Sequence, residues 1–116
     1  MLEGRVTTAP LAGGARRYDE AMAAYLIVNV DVTDPVRYQD YVRAVPPTLA
    51  AFGGRYLARG GRAESLEGSY VPKRVVVIEF ENAERARAWW SSGEYADAKA
   101  IRHATATTDL ILVEGV

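Results

Sequence analysis

The sequence predicts an α+β fold whose elements follow the order β-α-β-β-α-β. Three observations lead to this prediction. Segments rich in β-branched and aliphatic residues occur at 24–32, 55–60, 73–81 and 108–116, and turn residues separate them, as is typical of strands. Apolar residues at steps of three and four follow the first and third of these segments, as in helices that bury one face. Each helical segment also begins with a residue that favours helix N-termini.

The first strand, AYLIVNVDV over residues 24–32, presents two different faces. Side chains alternate between the two sides of a strand. One side therefore carries only apolar residues, namely Leu26, Val28 and Val30. The other side is mixed and carries Tyr25, Ile27, Asn29 and Asp31.

The first helix is predicted to begin at Asp34 and Pro35. Aspartate is a good N-cap, and proline fits the first helical position because its missing N–H costs nothing there. One apolar stripe follows, made of Tyr38, Tyr41, Val42, Val45, Leu49 and Phe52. The pair Pro46-Pro47 interrupts this stripe, and a proline inside a helix removes a backbone hydrogen bond. We therefore expect a kink or two short helices sharing one face, ended by the glycines at 53–54.

Two further strands and a loop come next. Residues 55–60 form a short strand, and residues 73–81 form the most strongly predicted strand of the chain. Between them, glycines at 60, 61 and 68 indicate a loop or irregular hairpin that extends to Pro72.

The second helical region is predicted to consist of two pieces. Asn82 is a fitting N-cap for a helix that turns Ala83, Ala86, Trp89 and Trp90 inward. Gly93 stops or bends that helix, and the sequence SSGE at 91–94 fits a capping box. A further helix with Tyr95, Ala98 and Ile101 is therefore expected. Residues 108–116 complete the fold as its last strand.

This order of elements matches the ferredoxin-like arrangement, a four-stranded antiparallel sheet with helices on one face. The second face of that sheet would be expected to be polar in a monomer. Here it must include Tyr25, Ile27, Val75, Val77 and either the pair Leu110 and Leu112 or the pair Ile111 and Val113. An apolar face of this width indicates a partner. We therefore predict a homodimer in which two sheets pack face to face and close into a barrel.

Composition limits both the domain count and the chemistry. The chain has 116 residues with 14 basic and 15 acidic side chains, no cysteine and one histidine. Residues 1–21 have no apolar period and are interpreted as an N-terminal tail, which leaves residues 22–116 as the single domain. Thiol chemistry and multi-histidine metal centres are excluded, and the balanced charge argues against nucleic-acid binding. We expect no metal, no cofactor, no membrane association and a cytoplasmic location.

Six stretches of residues 22–116 carry a resemblance to a known family. They are AYLIVNVDVTDP (24–35), YVRAVPP (41–47), GGRYLARGG (53–61), RVVVIEF (74–80), ARAWWSSGEY (86–95) and LVEGV (112–116). With these stretches the chain resembles the bacterial family called domain of unknown function 1330, in the dimeric α+β barrel superfamily. The resemblance implies the fold and the dimer, and it implies no established reaction.

The candidate site residues are polar side chains of the predicted strands, together with Tyr41 and His103 of the predicted helices. Candidate catalytic residues are Asp31, Glu79 and His103, and candidate ligand-binding residues are Asn29, Asp31, Tyr41, Arg59 and Glu79. A buried carboxylate beside an arginine can act as a general base or bind a small polar ligand. The competing interpretation of the strand-end charges is an ion-pair network that holds the sheet rim or the dimer. For His103, the competing interpretation is that it and Arg102 favour the negative end of a helix dipole.

Two classes of function remain open at this stage. In the first, the homodimer binds a small molecule between the sheet and its partner, or acts as a cofactor-independent enzyme, monooxygenase-like or isomerase-like, on a small aromatic or carboxylated metabolite. In the second, it is a non-catalytic, stress-associated module whose charged residues only hold the dimer. Proteins with this fold have many different functions, so the fold does not distinguish between these two classes.

Overall fold

The computed structural model describes residues 22–116, and the predicted tail at 1–21 lies outside the described residues. The elements follow the order β1 (Ala24–Val32), α1 (Pro35–Ala51), β2 (Arg55–Arg59), β3 (Arg74–Phe80), α2 (Ala83–Trp90), α3 (Gly93–Thr105) and β4 (Ala106–Glu114). The predicted β-α-β-β-α-β order is confirmed, with the second helical region divided into two helices as expected.

The four strands form one antiparallel sheet in the spatial order β2-β3-β1-β4. In its middle, Val28 of β1 lies opposite Val76 of β3 on one side and Leu110 of β4 on the other. Residues in one such row share a face of the sheet. The row of Val28 faces the helices, and the adjacent row of Ile27 with Val77 and Ile111 faces away from them.

Helix α1 begins as the sequence predicts, since the Asp34 side chain accepts a hydrogen bond from the Arg37 N–H and Pro35 occupies the first turn. It differs from expectation at Pro46-Pro47, because one continuous helix runs through both prolines. Without an N–H, Pro46 leaves the carbonyl of Val42 without its helical donor. That carbonyl instead accepts a hydrogen bond of 2.6 Å from Arg59 Nη2. A tertiary contact thus compensates for part of the loss that the prolines cause.

Two glycines end α1 in a Schellman motif. The Gly53 N–H donates to the Ala50 carbonyl and the Gly54 N–H to the Leu49 carbonyl, while Gly53 has a φ of +74°. Gly54 also packs closely on the sheet, because a Cβ atom there would lie 2.7 Å from the Phe80 ring. The predicted role of this glycine pair is confirmed.

Helices α2 and α3 each begin at a capping side chain. Asn82 accepts from the Arg85 N–H, and Ser92 accepts from the Tyr95 N–H. The cap of α3 is therefore Ser92, one residue later than a capping box with Ser91 and Glu94 would place it. Of the two tryptophans, Trp89 is buried in the core, where its Nε1 donates to Thr48 Oγ1 at 2.9 Å, whereas Trp90 is exposed.

The core lies between the three helices and one face of the sheet. Its sheet side consists of alternate residues of the two central strands, Leu26, Val28, Val30, Val76, Ile78 and Phe80. The opposite face of the sheet, which we call the outer face, has no cover within residues 22–116. The pair Ile111 and Val113 belongs to the outer face, and both side chains are exposed together with Ile27. No helix in the described part of the chain has the length and apolar character needed to span a membrane.

Candidate functional site

A cavity lies between the sheet and helices α1 and α3, on the side of the sheet opposite the outer face. Four tyrosines and three arginines line it, namely Tyr38, Tyr41, Tyr56 and Tyr95 with Arg59, Arg74 and Arg102. Trp89 and aliphatic side chains of the sheet complete its walls. The free space in the cavity is about 20 Å³, which is enough for a water molecule.

Arg102 reaches the cavity from α3. It lies seven residues after Tyr95, so that both side chains project from the same face of the helix. The side chain is only 3% exposed, and its Nε donates to Tyr95 Oη at 3.3 Å. Tyr95 Oη in turn lies 2.7 Å from Tyr41 Oη. A chain of three polar groups therefore forms the helix side of the cavity.

Arg74 reaches the cavity from the first residue of β3. Its guanidinium carbon lies 5.6 Å from the centroid of the Tyr38 ring. Its Nε is buried and has no hydrogen-bond partner among the residues the structure describes. Gly60 makes room for this side chain, since a Cβ there would overlap Arg74 Nη1, and Gly60 also has a φ of +77°. The glycine at 60 is thus required both by its backbone and by Arg74.

Arg59 stands at the mouth of the cavity, at the end of β2. A β-bulge between Tyr56 and Ala58 shifts the register so that Arg59 pairs with Val76, whose side chain faces the helices. Bulges are known to redirect side chains in this way. The Arg59 guanidinium lies 4.3 Å from the centroid of the Tyr56 ring and donates to the Val42 carbonyl freed by Pro46.

The three arginines of the cavity have no carboxylate partner within residues 22–116. The ion pairs in that range join Arg43 to Asp40 and Arg55 to Glu79, neither of which lines the cavity. Removing a charged side chain from water is costly unless an opposite charge compensates. Residues 22–116 therefore give the cavity positive charge without a compensating carboxylate, and Arg102 carries part of this charge in a buried position.

Two tyrosines of the cavity, Tyr41 and Tyr56, are held in their neutral form. Burial, and then the proximity of Tyr95, raises the pKa of Tyr41 above its usual value of 10.0. Burial likewise raises the pKa of Tyr56, although Arg59 opposes the change. Protonated tyrosines can donate hydrogen bonds, so the polar groups around the cavity are mainly donors.

The structure separates the candidate residues predicted from sequence into two groups. Tyr41 and Arg59 line the cavity. Asn29 and Glu79 project from the outer face, where Asn29 Oδ1 accepts from the Lys73 N–H at 2.8 Å and Glu79 bonds Arg55 at 2.6 Å. Asp31 is exposed on that face as well. Asp31, Arg59 and Glu79 are therefore not brought together in one cavity.

His103 is exposed on α3 and does not line the cavity, whereas its neighbour Arg102 is buried there. Sequence reasoning assigned both residues to the helix dipole and so missed Arg102. A signal for it exists in the helical period, since Tyr95, Ala98 and Arg102 recur at steps of three and four. Arg74 likewise precedes Val76 and Ile78 in the two-residue period of β3.

No three His, Asp or Glu side chains within residues 22–116 come together as a candidate metal site. The donors around the cavity are guanidinium and phenol groups, which do not match the ligands that metal ions prefer. The arrangement can instead hold an electron-rich organic group between hydrogen-bond donors and aromatic rings.

The chain belongs to the family described as Domain of unknown function (DUF1330), whose model matches residues 23–116. The resemblance seen in the sequence is thereby confirmed. A sequence comparison with curated proteins finds no match.

Solved structures share the fold at low sequence identity. The RPA0582 protein of unknown function from Rhodopseudomonas palustris is 17% identical, with a TM-score of 0.70 over 84% of this chain and 85% of that one. A dimeric ferredoxin-like protein of unknown function from Thermobifida fusca is 18% identical, with a TM-score of 0.57 over 90% and 100%. SnoaB, a cofactor-independent oxygenase from Streptomyces nogalater, is 14% identical, with a TM-score of 0.56 over 79% and 91%. These similarities establish the ferredoxin-like fold.

Proposed function

We propose that this protein binds a small organic anion with a planar ring in the cavity between its helices and its sheet. The observation that carries the proposal is the convergence of Arg59, Arg74 and Arg102 on one cavity without a carboxylate from residues 22–116. Buried charges in proteins are normally paired. An anionic ligand would supply the missing charge.

The planar ring is inferred from the aromatic walls. Tyr38 and Tyr56 each lie beneath a guanidinium, and Tyr95 stacks on Trp89 with ring centroids 3.9 Å apart. Aromatic side chains bind rings through stacked or edge contacts, and guanidinium groups add cation–π attraction. A benzoate-like ligand would therefore meet rings along its sides and donors at its charged end.

The ligand would enter past Arg59. The free space between the lining side chains is about 20 Å³, so an aromatic ligand requires a side chain to move. Arg59 is exposed and is held by one hydrogen bond to the Val42 carbonyl. Rotation of this side chain would open the mouth and allow its guanidinium to bond the anion instead.

Calorimetric titration with benzoate and with benzamide tests the proposal. The two molecules have nearly the same shape and differ in charge. We expect benzoate to bind and to raise Tm at saturation, and benzamide to bind at least about tenfold more weakly, which corresponds to about 1.4 kcal/mol. Equal binding of the two molecules, or binding of neither one nor of other aromatic carboxylates in a thermal-shift panel, would contradict the proposal.

The variant Arg102→Gln locates the site. It removes the buried charge and is expected to weaken benzoate binding at least tenfold, roughly the loss of one charge-assisted hydrogen bond. Arg37→Gln is the matched control, because Arg37 is exposed on α1 and does not line the cavity. Unchanged benzoate affinity in Arg102→Gln would place the binding elsewhere.

We also propose that two copies of the chain pair through their outer faces. Support comes from the exposed apolar residues of that face, where Ile111 of the edge strand β4 is 56% exposed. Large exposed apolar patches mark interaction sites. A protein of the same fold, that from Thermobifida fusca, is described as dimeric. The homodimer would cover the outer face and leave the cavity on the helix side free.

Sedimentation velocity at micromolar concentration tests the dimer. The wild type is expected to sediment as a dimer, and Ile111→Lys as a monomer that retains its secondary structure. Val36→Lys is the control, because Val36 is 81% exposed but lies on α1, away from the outer face. A monomeric wild type would overturn this part of the proposal.

A further inference from the structure

The direction of one hydrogen bond in the cavity follows from burial. The Tyr95 side chain is 0% exposed, and its hydroxyl has two polar neighbours among the described residues, Arg102 Nε and Tyr41 Oη. Arg102 Nε can only donate. A buried hydroxyl that fails to donate its proton loses a hydrogen bond at considerable cost. Donation from Tyr95 to Tyr41 is the arrangement that uses the Tyr95 proton within the protein, and the chain of donation then runs from Arg102 through Tyr95 to Tyr41.

This direction leaves the proton of Tyr41 unused. The Tyr41 oxygen accepts from Tyr95, and no acceptor for the Tyr41 proton lies among residues 22–116. Tyr41 lines the cavity, so that this proton is offered to whatever occupies it. Hydrogen bonds arranged in series polarise one another, which strengthens the last donor.

The opposite wall offers a second unused donor. Arg74 Nε is buried on the sheet side and has no partner among the described residues. No carboxylate or imidazole lines the cavity, and the carbonyl nearest its mouth, that of Val42, is bonded to Arg59. An oxygen placed between these walls would thus meet proton donors and positive charge from both sides.

Resting on the proposed anion binding, we propose that the cavity selects an acidic phenol or enol and binds it in its ionised form, with the phenolate or enolate oxygen at Tyr41. On binding, the ligand's O–H bond breaks heterolytically, its electron pair stays on oxygen, and the proton is released to the buffer. A neutral phenol could donate its proton only to tyrosine hydroxyl oxygens among the polar side chains that line the cavity, and it would leave the charge of the arginines without a counter-charge. Nearby positive charge stabilises the ionised form of an acid.

The absorbance of 4-nitrophenol, which changes on ionisation, tests this inference directly. We expect the wild-type protein to bind the phenolate at least about tenfold more tightly than the neutral phenol, which lowers the pKa of the bound phenol by at least one. Calorimetry in two buffers of different ionisation enthalpy should show the released proton when binding is measured below the phenol's own pKa. An unchanged pKa of the bound 4-nitrophenol, or tighter binding of its neutral form, would overturn the inference.

Two variants assign the effect to the hydrogen-bond chain. Tyr41→Phe removes the terminal donor and Arg102→Gln removes the charge, and each is expected to reduce the preference for the phenolate at least about threefold. Tyr70→Phe and Arg37→Gln are matched controls at exposed positions outside the cavity. Near-UV circular dichroism verifies that each variant is folded. If both folded variants retain the wild-type preference, the assignment to Tyr41 and Arg102 is wrong.

Benzoate separates this inference from the proposed function on which it rests. If benzoate binds and 4-nitrophenol either does not bind or binds with an unchanged pKa, the anion site stands and the phenolate preference fails. If neither molecule binds, both proposals fail. The neutral analogue 4-nitroanisole, which cannot ionise, is expected to bind weakly in either case.

Discussion

The two faces of the sheet differ in what they lack. On the helix side, Arg102 is buried and Arg74 is half-buried, both lie beside tyrosines, and neither has a counter-charge within residues 22–116. On the outer face, the charged Glu79 is paired with Arg55, while apolar Ile111 is exposed. Within residues 22–116, the helix side thus lacks a counter-charge for its arginines, and the outer face lacks a layer that covers its apolar side chains. This difference is the basis of the two proposals, a small anion in the cavity and a second protein surface on the outer face.

The largest effect of a substitution is expected at two neighbouring residues of β3, one on each face of the sheet. Ile78 is buried on the helix side and Val77 is half-buried on the outer face. Ile78→Ala is expected to lower the free energy of unfolding by about 2–5 kcal/mol, since it leaves a cavity in the core. Val77→Ala should cost less in urea unfolding at submicromolar concentration, where a dimer is dissociated. Equal costs there would mean that the two faces are equally packed within one chain.

Arg102→Met tests whether the buried charge of Arg102 lowers the stability of the fold. Methionine keeps most of the volume and removes the uncompensated guanidinium, so we expect stability to rise by roughly 1–4 kcal/mol. The same variant should lose benzoate binding. Thermal unfolding and calorimetry measure the two effects, and Arg87→Met on the exposed face of α2 is the control. Destabilisation by Arg102→Met would show that the arginine is part of an ordinary satisfied core.

Gly60→Ala tests whether a glycine at position 60 is needed to accommodate the Arg74 side chain. The residue has a positive φ, and the added Cβ would overlap the Arg74 guanidinium. We expect a loss of about 1–2 kcal/mol from the backbone alone, together with weaker benzoate binding. Gly61→Ala is a close control, because its Cβ would have no neighbour within 4 Å and its φ is not positive. Similar behaviour of the two variants would argue against a role for Gly60 in placing Arg74.

The buried tyrosines predict a dependence of stability on alkaline pH. Burial raises the pKa of Tyr41 in the folded chain above its value of about 10 in the unfolded chain. The unfolded state therefore releases the proton first, so the contribution of Tyr41 is present below pH 10 and is lost as pH rises further. Tm measured between pH 8 and 11 should fall less steeply in Tyr41→Phe than in the wild type or in Tyr70→Phe. Parallel curves would contradict this role of Tyr41.

The smallest effect is expected at the edge of the outer face. Arg55 and Glu79 form an ion pair of 2.6 Å whose arginine side chain is 71% exposed. Exposed pairs of this kind contribute about 0–1 kcal/mol. Arg55→Gln should therefore change Tm little, and less at high salt. A loss comparable to that of Ile78→Ala would show that the outer face depends on this charge for its structure.

The fold could be predicted from local patterns because those patterns agree with the tertiary structure. The alternation of residues 24–32 defines β1 to the residue, and Asp34, Asn82 and the glycines at 53–54 mark helix ends correctly. The continuity of α1 through Pro46 could not be predicted, because the donor that bonds the freed carbonyl comes from another strand. Similarly, Ser91 and Ser92 are adjacent and are equally good N-caps, so the sequence could not decide that Ser92 caps α3.

The site was predictable only in part. Tyr41 and Arg59 were recognised as candidates, but strict alternation in β2 would place Arg59 on the same face as Arg55, which is the outer face. The bulge at Tyr56/Ala58 reverses that placement, and the sequence RYLAR of β2 contains no turn residue that would indicate a bulge. Arg102 was missed for another reason, since an arginine in the last turn of a helix is usually explained by its exposure to solvent and the helix dipole.

The bulge in β2 also has a consequence for how such a site could arise in evolution. Gain or loss of one codon in this short strand would carry Arg59 from one side of the sheet to the other, because each one-residue step reverses the direction of every following side chain. A single in-frame insertion or deletion in β2 would thus be a short genetic route for moving this arginine between the outer face and the cavity.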